Sequence, residues 1–190
     1  MVQYYNINFL VATCFGLGKI PKIPGTIGAV AAFPIMFYCI KLVGLIKEFF
    51  YPQVETMSFT IISLLISIII LFTIGTYCAG QYAKLINQED PKEIVIDEIV
   101  GQMLTITLTT PFAFMFLYNY LPLYSILIVS ILTGFFLFRM FDIIKPWPIN
   151  WLDKNIKGGI GIMLDDILAA IFAIVLHNAS LMIVTSYFVS

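Results

Sequence analysis

The chain has 190 residues, of which 61% are hydrophobic and 11% are charged, whereas soluble domains are roughly 45–50% apolar and about 25% charged. This composition excludes a soluble globular domain and a disordered chain, because so much apolar surface is not left in water. The formal net charge of −1 offers no basic surface, so a nucleic-acid partner is excluded as well.

Charged residues avoid long stretches of the chain, which predicts helices that cross a membrane. A spanning helix needs about 20 apolar residues, and four windows without Asp, Glu, Lys or Arg reach or approach that length. The longest window, 99–138, is too long for one helix and is divided by a predicted turn at 119–122. We therefore expect spans near 57–83, 99–117, 124–141 and 167–188.

A weaker span is predicted nearer the N-terminus, at 29–46. It contains Pro34 and Lys41, so it could cross the membrane or form a re-entrant segment. The predicted fold is all-α, a polytopic helical membrane bundle of four to five spans. No internal repeat interrupts it, so a single membrane-embedded domain is expected over 1–190.

The basic residues fall mainly on one side of this topology. Lys41 and Lys47 lie on the other side. Loops rich in Lys and Arg stay in the cytoplasm, so we expect the charged loops 14–28, 84–98 and 139–166 to face it. The basic residues on that side are Lys19, Lys22, Lys84, Lys92, Arg139, Lys145, Lys154 and Lys157.

The first charged loop combines glycines and prolines with lysines in the run Phe-Gly-Leu-Gly-Lys-Ile-Pro-Lys-Ile-Pro-Gly-Thr-Ile-Gly (15–28). Glycine permits close backbone approach, and Lys19 and Thr26 could meet phosphate oxygens. The spacing does not fit a Walker A loop. The alternative is a Gly- and Pro-punctuated loop whose lysines face lipid headgroups.

The second loop ends in Asp97 and Glu98, where the charged stretch becomes an apolar helix. Helix N-termini favour carboxylates, so the pair could be an acidic first turn or could bind a metal. Gln102 follows Glu98 by four residues, so both are expected on the same face of the helix. Spacing alone leaves both interpretations open.

The third loop begins with Arg139, Asp142 and Lys145, which are spaced three apart before Pro146. Pro146 is expected to end the helix that carries them. A salt-bridged helix end would have the same spacing. Arg139, however, closes a long apolar span, where an ionisable group usually has a partner or a function.

Further along the same loop, Lys157 and a glycine run precede Asp165 and Asp166 at the predicted start of the last span. One carboxylate would suffice to cap a helix, and a second adds repulsion and desolvation. A functional role is therefore favoured for both aspartates.

The acids of these loops predict a metal site that acts on phosphate. Oxygen ligands select Mg²⁺ or Mn²⁺ over zinc, and nearby Arg and Lys would neutralise a phosphoryl group. His177 is the only histidine, which excludes phosphatases built on paired histidines. The alternative is a transporter or channel that uses intramembrane carboxylates. The five acids are Asp97, Glu98, Asp142, Asp165 and Asp166.

Four runs of the sequence resemble the phosphatidylglycerophosphatase A family, in the family's order, between about 12 and 175. One departure is Ala170, where the family pattern has Gly. The runs are Gly-Lys-Ile-Pro-Lys-Ile-Pro-Gly-Thr-Ile-Gly (18–28), Ile-Asp-Glu-Ile-Val-Gly (96–101), Phe-Arg-Met-Phe-Asp-Ile-Ile-Lys-Pro-Trp-Pro-Ile (138–149) and Gly-Gly-Ile-Gly-Ile-Met-Leu-Asp-Asp-Ile-Leu-Ala (158–169).

The resemblance implies a bacterial inner-membrane enzyme that uses Mg²⁺ to hydrolyse phosphatidylglycerophosphate to phosphatidylglycerol and phosphate. The family's acidic positions match the five acids, and its basic positions match Arg139 and Lys145. Water is favoured over an aspartate as the nucleophile, because five carboxylates suffice for a metal site, and no oligomeric state is assigned. The candidates are thus catalytic Asp97, Asp142, Asp165 and Asp166; metal-binding Asp97, Glu98, Asp142, Asp165 and Asp166; and substrate-binding Lys19, Thr26, Arg139, Lys145 and Lys157.

Overall fold

The computed structural model describes residues 6–189, with side chains described to Tyr187. Every regular element in this range is helical, which confirms the predicted all-α fold. A short 3₁₀ helix, Leu17–Lys19, joins the first two α-helices. The α-helices are α1 (Ile7–Ala12), α2 (Pro24–Phe50), α3 (Thr56–Ile86), α4 (Ile96–Leu117), α5 (Leu123–Ile144), α6 (Ile149–Asn155) and α7 (Gly158–Val189).

Within residues 6–189, five helices are long and apolar enough to cross a membrane: α2, α3, α4, α5 and α7. The uncertain first span lies within α2, which continues through Pro34 as one helix without a re-entrant turn. The predicted turn at 119–122 separates α4 from α5, and α5 ends at Ile144, just before Pro146. The chain is therefore built as a multi-pass helical membrane protein.

The start of the last span was predicted too late. α7 begins at Gly158, nine residues before 167. Glycine has low helix propensity, so the run 158–161 looked like a flexible loop. Instead, Gly159 lies against the Thr76 carbonyl of α3 so closely that a Cβ would collide with it. The close packing of α7 against α3 therefore accounts for a glycine at position 159.

Helix α4 lies at the centre of the bundle, in contact with α2, α3, α5 and α7. Of its most apolar 18-residue window, 56% is buried, against 11–28% for the other four long helices. Its buried threonines bond to carbonyls four residues earlier, as Thr105 does to Gly101 at 2.9 Å. The other long helices expose apolar side chains, as expected where lipid replaces water as the solvent.

Short connections make successive long helices antiparallel. The α2–α3, α3–α4 and α4–α5 connections cover 51–55, 87–95 and 118–122. The segment that contains α6 stays at the end of the bundle where α5 finishes, and α7 starts from that same end. Consequently the N-termini of α2, α4 and α7 and the C-terminus of α5 lie at one end of the bundle.

The two short helices were not predicted, because each is too brief to give a periodic signal. Their positions depend on tertiary contacts. Phe9 of α1 packs edge-on against Tyr82 of α3, with ring centroids 5.6 Å apart. Helix α6 buries Ile149 and Leu152 against the bundle. Both short helices lie at the end where the charged loops converge.

Candidate active site

Three acids from two helices form a close group at this end of the bundle. Asp97 and Glu98 lie in the first turn of α4, and Asp166 lies in the third turn of α7. One carboxylate oxygen from each lies within 4.8 Å of the others. Asp166 is almost fully buried, with 3% of its surface exposed. Because like charges this close repel, the group favours a bound cation.

Arg139 brings a cation from α5 to the group. Its guanidinium forms an ion pair with Asp142, one turn further along α5, and lies 3.8 Å from the Glu98 carboxylate. The side chains of all three residues are largely buried. The i,i+3 ion pair that the sequence left as an alternative is therefore present, and it holds the guanidinium beside Glu98.

The N-terminus of α2 closes the site from a third direction. A Cβ on Gly25 would lie 3.0 and 3.1 Å from the terminal guanidinium nitrogens of Arg139, and closer still to the Glu98 carboxylate. A side chain at position 25 would therefore force the Glu98 carboxylate or the Arg139 guanidinium to move. Thr26 follows Gly25, half-buried in the first turn. The first backbone N–H groups of a helix favour negative charge, so this helix end suits a carboxylate or a phosphate.

Lys145 forms the second basic centre. It ends α5 in the left-handed region, at φ 43°. Its Nζ lies 2.6 Å from Asp165 Oδ2 and 3.1 Å from Asp153 Oδ1. Burial alone would lower the pKa of Lys145, but the Asp165 and Asp153 carboxylates outweigh burial and raise it above its ordinary value. Lys145 is therefore a permanent cation at neutral pH.

Several buried polar atoms of the site have no hydrogen-bond partner among the described residues. They include Glu98 Oε2, Asp165 Oδ1, Asp166 Oδ2, Arg139 Nε and both amide atoms of Gln102. Gln102 is completely buried, one turn along α4 from Glu98. Each such group costs about 1–3 kcal/mol if it stays unpaired. The site is thus built to take a ligand, a metal ion or ordered water.

The predicted lysines at the edges of the site are placed differently from Lys145. The Lys157 ammonium lies 3.0 Å from Glu89 on the surface, and both side chains are exposed. The Lys19 ammonium lies over the Phe9 ring of α1, 4.6 Å from its centroid. Lys157 directly precedes Gly158, where α7 begins, so Asp165 and Asp166 follow it about two helical turns later. Its assignment to substrate binding stays a prediction.

Asp153 is a charged residue beside the site that the sequence prediction missed. It faces Lys145 from α6, one turn after the buried Ile149. The spacing of Asp153 from that apolar anchor was the available signal, but α6 was not predicted.

A cavity of about 970 Å³ lies between α2, α3, α4 and α5, with Glu55 as its one charged lining residue, and it contains none of the five acids.

His177 is buried, as predicted. Its Nδ1 lies 3.1 Å from Asn178 Oδ1, and 2% of the residue is exposed. It lies on α7 eleven residues beyond Asp166, so three turns of helix separate it from the acids. The histidine is therefore part of the bundle interior and not of the acidic group.

The fold and the site define a class: a helical membrane protein with a buried group of acids, an arginine and a lysine at one end of its bundle. The family model of phosphatidylglycerophosphatase A matches residues 10–181. The chain belongs to the phosphatidylglycerophosphatase A family, and it is a phosphatase, a phosphoric monoester hydrolase.

Individual relatives agree with the family match. Phosphatidylglycerophosphatase A of Escherichia coli is 34% identical over 86% of this chain and 77% of its own length. Phosphatidylglycerophosphatase A of Haemophilus influenzae is 31% identical over 92% of this chain and 88% of its own length. A provisionally named phosphatidylinositol-3-phosphatase of Bacteroides thetaiotaomicron is 29% identical over 88% of this chain and 89% of its own length. No solved structure matches the chain significantly.

Proposed function

We propose that the chain is a Mg²⁺-dependent lipid phosphatase that converts phosphatidylglycerophosphate to phosphatidylglycerol and phosphate at the cytoplasmic face of a bacterial inner membrane. The observation that carries the proposal is the buried group of Asp97, Glu98 and Asp166 beside Arg139. The Escherichia coli and Haemophilus influenzae relatives bear the name of this activity, which supports the choice of substrate.

The donor set fits Mg²⁺. It consists of carboxylate oxygens, which hard divalent cations prefer, and Glu98 Oε2 and Asp166 Oδ2 have no hydrogen-bond partner in the described part of the chain. Asp97, Glu98 and Asp166 would hold the ion. When bound, Mg²⁺ would neutralise charge on the phosphoryl oxygens. Asp142 and Asp165 instead contact cationic side chains, so the proposed ligand set is narrower than the five acids predicted from sequence.

The remaining side chains would bind and orient the phosphate. Asp142 holds the Arg139 guanidinium at the site, where it can donate two N–H groups to a phosphate. Lys145 would donate a further N–H, and the α2 N-terminus at Gly25 and Thr26 would add backbone N–H groups. These donors would stabilise charge on the phosphate as its ester bond breaks.

We favour water as the nucleophile. The water oxygen bonds to phosphorus while the bond from phosphorus to the glycerol oxygen breaks. A site carboxylate takes a proton from the water and a proton is passed on from it to the glycerol oxygen, which leaves as a hydroxyl. Detection of a labelled aspartyl-phosphate during turnover would overturn this preference.

The cytoplasmic orientation is supported by the distribution of charge. Eight of the ten Lys and Arg residues lie at the site end, whereas Lys41 and Lys47 lie towards the other end of α2. Single cysteines at Lys154 and Val54, in a chain whose native cysteines are replaced by serine, would report the two ends in intact cells. We expect an impermeant thiol reagent to label position 54 only, and labelling of position 154 alone would reverse the topology.

A second substrate is favoured by one specific observation. The Bacteroides thetaiotaomicron relative is named for a phosphoinositide, which is also a lipid phosphate monoester. The carboxylates, Arg139 and Lys145 would bind the phosphate group that both lipids carry. Phosphatidylinositol 3-phosphate is therefore the competitor against which the proposed substrate is tested.

The test is phosphate release by the purified protein in mixed micelles with either lipid, with EDTA and after addition of Mg²⁺. We expect Mg²⁺-restored turnover and a higher kcat/KM for phosphatidylglycerophosphate. Glu55→Gln, at the opposite end of the bundle, is the matched control for Asp97→Asn and should retain activity. Turnover in EDTA, or a preference for the phosphoinositide, would contradict the proposal.

A further inference from the structure

The Lys145 ammonium is held by two helices other than its own. Asp165 of α7 and Asp153 of α6 each place a carboxylate oxygen within ion-pair distance, at 2.6 and 3.1 Å. Lys145 itself follows the last turn of α5. One side chain thus connects α5, α6 and α7 beside the acidic group.

The position of Asp153 is determined by buried residues of α6. Ile149 is fully buried among Phe138, Ala169 and Ala170, and Leu152 is buried as well. Because residues four apart share a helical face, the Ile149 anchor orients Asp153 towards the bundle. Asp153 keeps 35% of its side chain exposed, and Asp165 keeps 9%. The ion pair therefore lies at the rim of the site.

An ammonium group has three N–H donors. Asp165 and Asp153 accept two of them, which leaves one for a substrate oxygen. A lysine side chain otherwise has many rotamers. If Asp153 were absent, Asp165 alone would hold the Lys145 ammonium. The Lys145 side chain could then adopt several rotamers while it kept that single contact.

We propose that Asp153 is a positioning residue of the active site, which holds the Lys145 ammonium between α6 and α7 so that its remaining N–H meets a phosphate oxygen of the substrate. The proposal rests on the proposed function, because only there does Lys145 bind the lipid phosphate. Asp153 does not contact substrate in this role.

The test is a double-mutant cycle with KM and kcat for lipid phosphate as its readouts. In the wild-type background, Asp153→Ala should raise KM about tenfold, the effect of one charge-assisted hydrogen bond, with kcat little changed. In the Lys145→Ala background, the same substitution should leave KM unchanged. Asp153→Asn keeps an acceptor oxygen without the charge, so its KM should fall between those of the wild type and Asp153→Ala.

Asn155→Ala is the matched control, because Asn155 lies on the same short helix and bonds only to the Trp151 carbonyl among the contacts described. It should leave KM unchanged. Wild-type KM in both Asp153 variants, or in Asp153→Asn if the alanine variant does not fold, would overturn the proposal. An equal rise in KM with and without Lys145 would also overturn it, since Asp153 would then not act through Lys145. A wild-type protein that releases no phosphate from either lipid would refute the proposed function, and this inference with it.

Discussion

Replacing Gly25 by alanine should disable the site while leaving the bundle intact. The new Cβ would lie 3.0 and 3.1 Å from the Arg139 guanidinium nitrogens, where ordinary contacts begin near 3.4 Å, and closer still to Glu98. Relief requires movement of the α2 N-terminus or of both charged side chains. Overpacking of this kind costs about 1–3 kcal/mol, and a misplacement of about 1 Å can reduce the rate about 100-fold.

Gly44 provides the matched control on the same helix. A Cβ at Gly44 meets nothing within 4 Å, so Gly44→Ala should retain activity and raise stability by about 0.5–1 kcal/mol through helix propensity. Both variants are assayed for phosphate release per folded protein and for thermal unfolding in detergent. Activity of Gly25→Ala equal to that of Gly44→Ala would refute the close approach of α2 to Glu98 and Arg139.

Three further predictions concern the charged residues of the site. Asp166→Asn should lower kcat about 100-fold or more and raise the Mg²⁺ concentration needed for half-maximal activity, which a metal titration of turnover measures; an unchanged titration would remove Asp166 from the ligand set. Arg139→Lys should reduce kcat/KM at least about tenfold, because lysine cannot form a bidentate phosphate contact, and an unaltered value would leave Arg139 with only its Asp142 partner. The pKa of Lys145 is raised above its ordinary value of about 10.4. The stability that its ion pairs contribute is therefore fully present below that ordinary pKa and is lost only as the pH rises through the higher pKa of the folded protein. The stability of the wild type and of Lys145→Arg, measured against pH, should consequently follow curves of the same shape between pH 7 and 10.

The membrane helices could be predicted from the sequence because they depend on local composition. The spans expected at 57–83, 99–117 and 124–141 correspond to α3, α4 and α5, and the helix ends differ by three residues or fewer. α7 was the exception, since its first turn contains three glycines, one of which, Gly159, packs closely against α3. Helix propensity alone argues against a helix there.

The sequence predicted most of the charged residues that belong to the site, but not which of them contact one another. Arg139 and Asp142 are neighbours on one helix, so their ion pair follows from a spacing of three. Lys145 and Asp165 are twenty residues apart and meet only because α6 turns the chain back onto α7. Which acids share a cation and which hold a basic side chain therefore depends on packing that no local pattern contains.

The central claim is that Asp97, Glu98 and Asp166 hold one divalent cation. Titration of Mn²⁺ into the purified protein, followed by electron paramagnetic resonance, tests it directly. We expect one tightly bound Mn²⁺ per chain, displaced by Mg²⁺ and lost in Asp166→Asn but retained in Asp153→Asn. Equal Mn²⁺ binding in the wild type and Asp166→Asn, or none in the wild type, would contradict the claim.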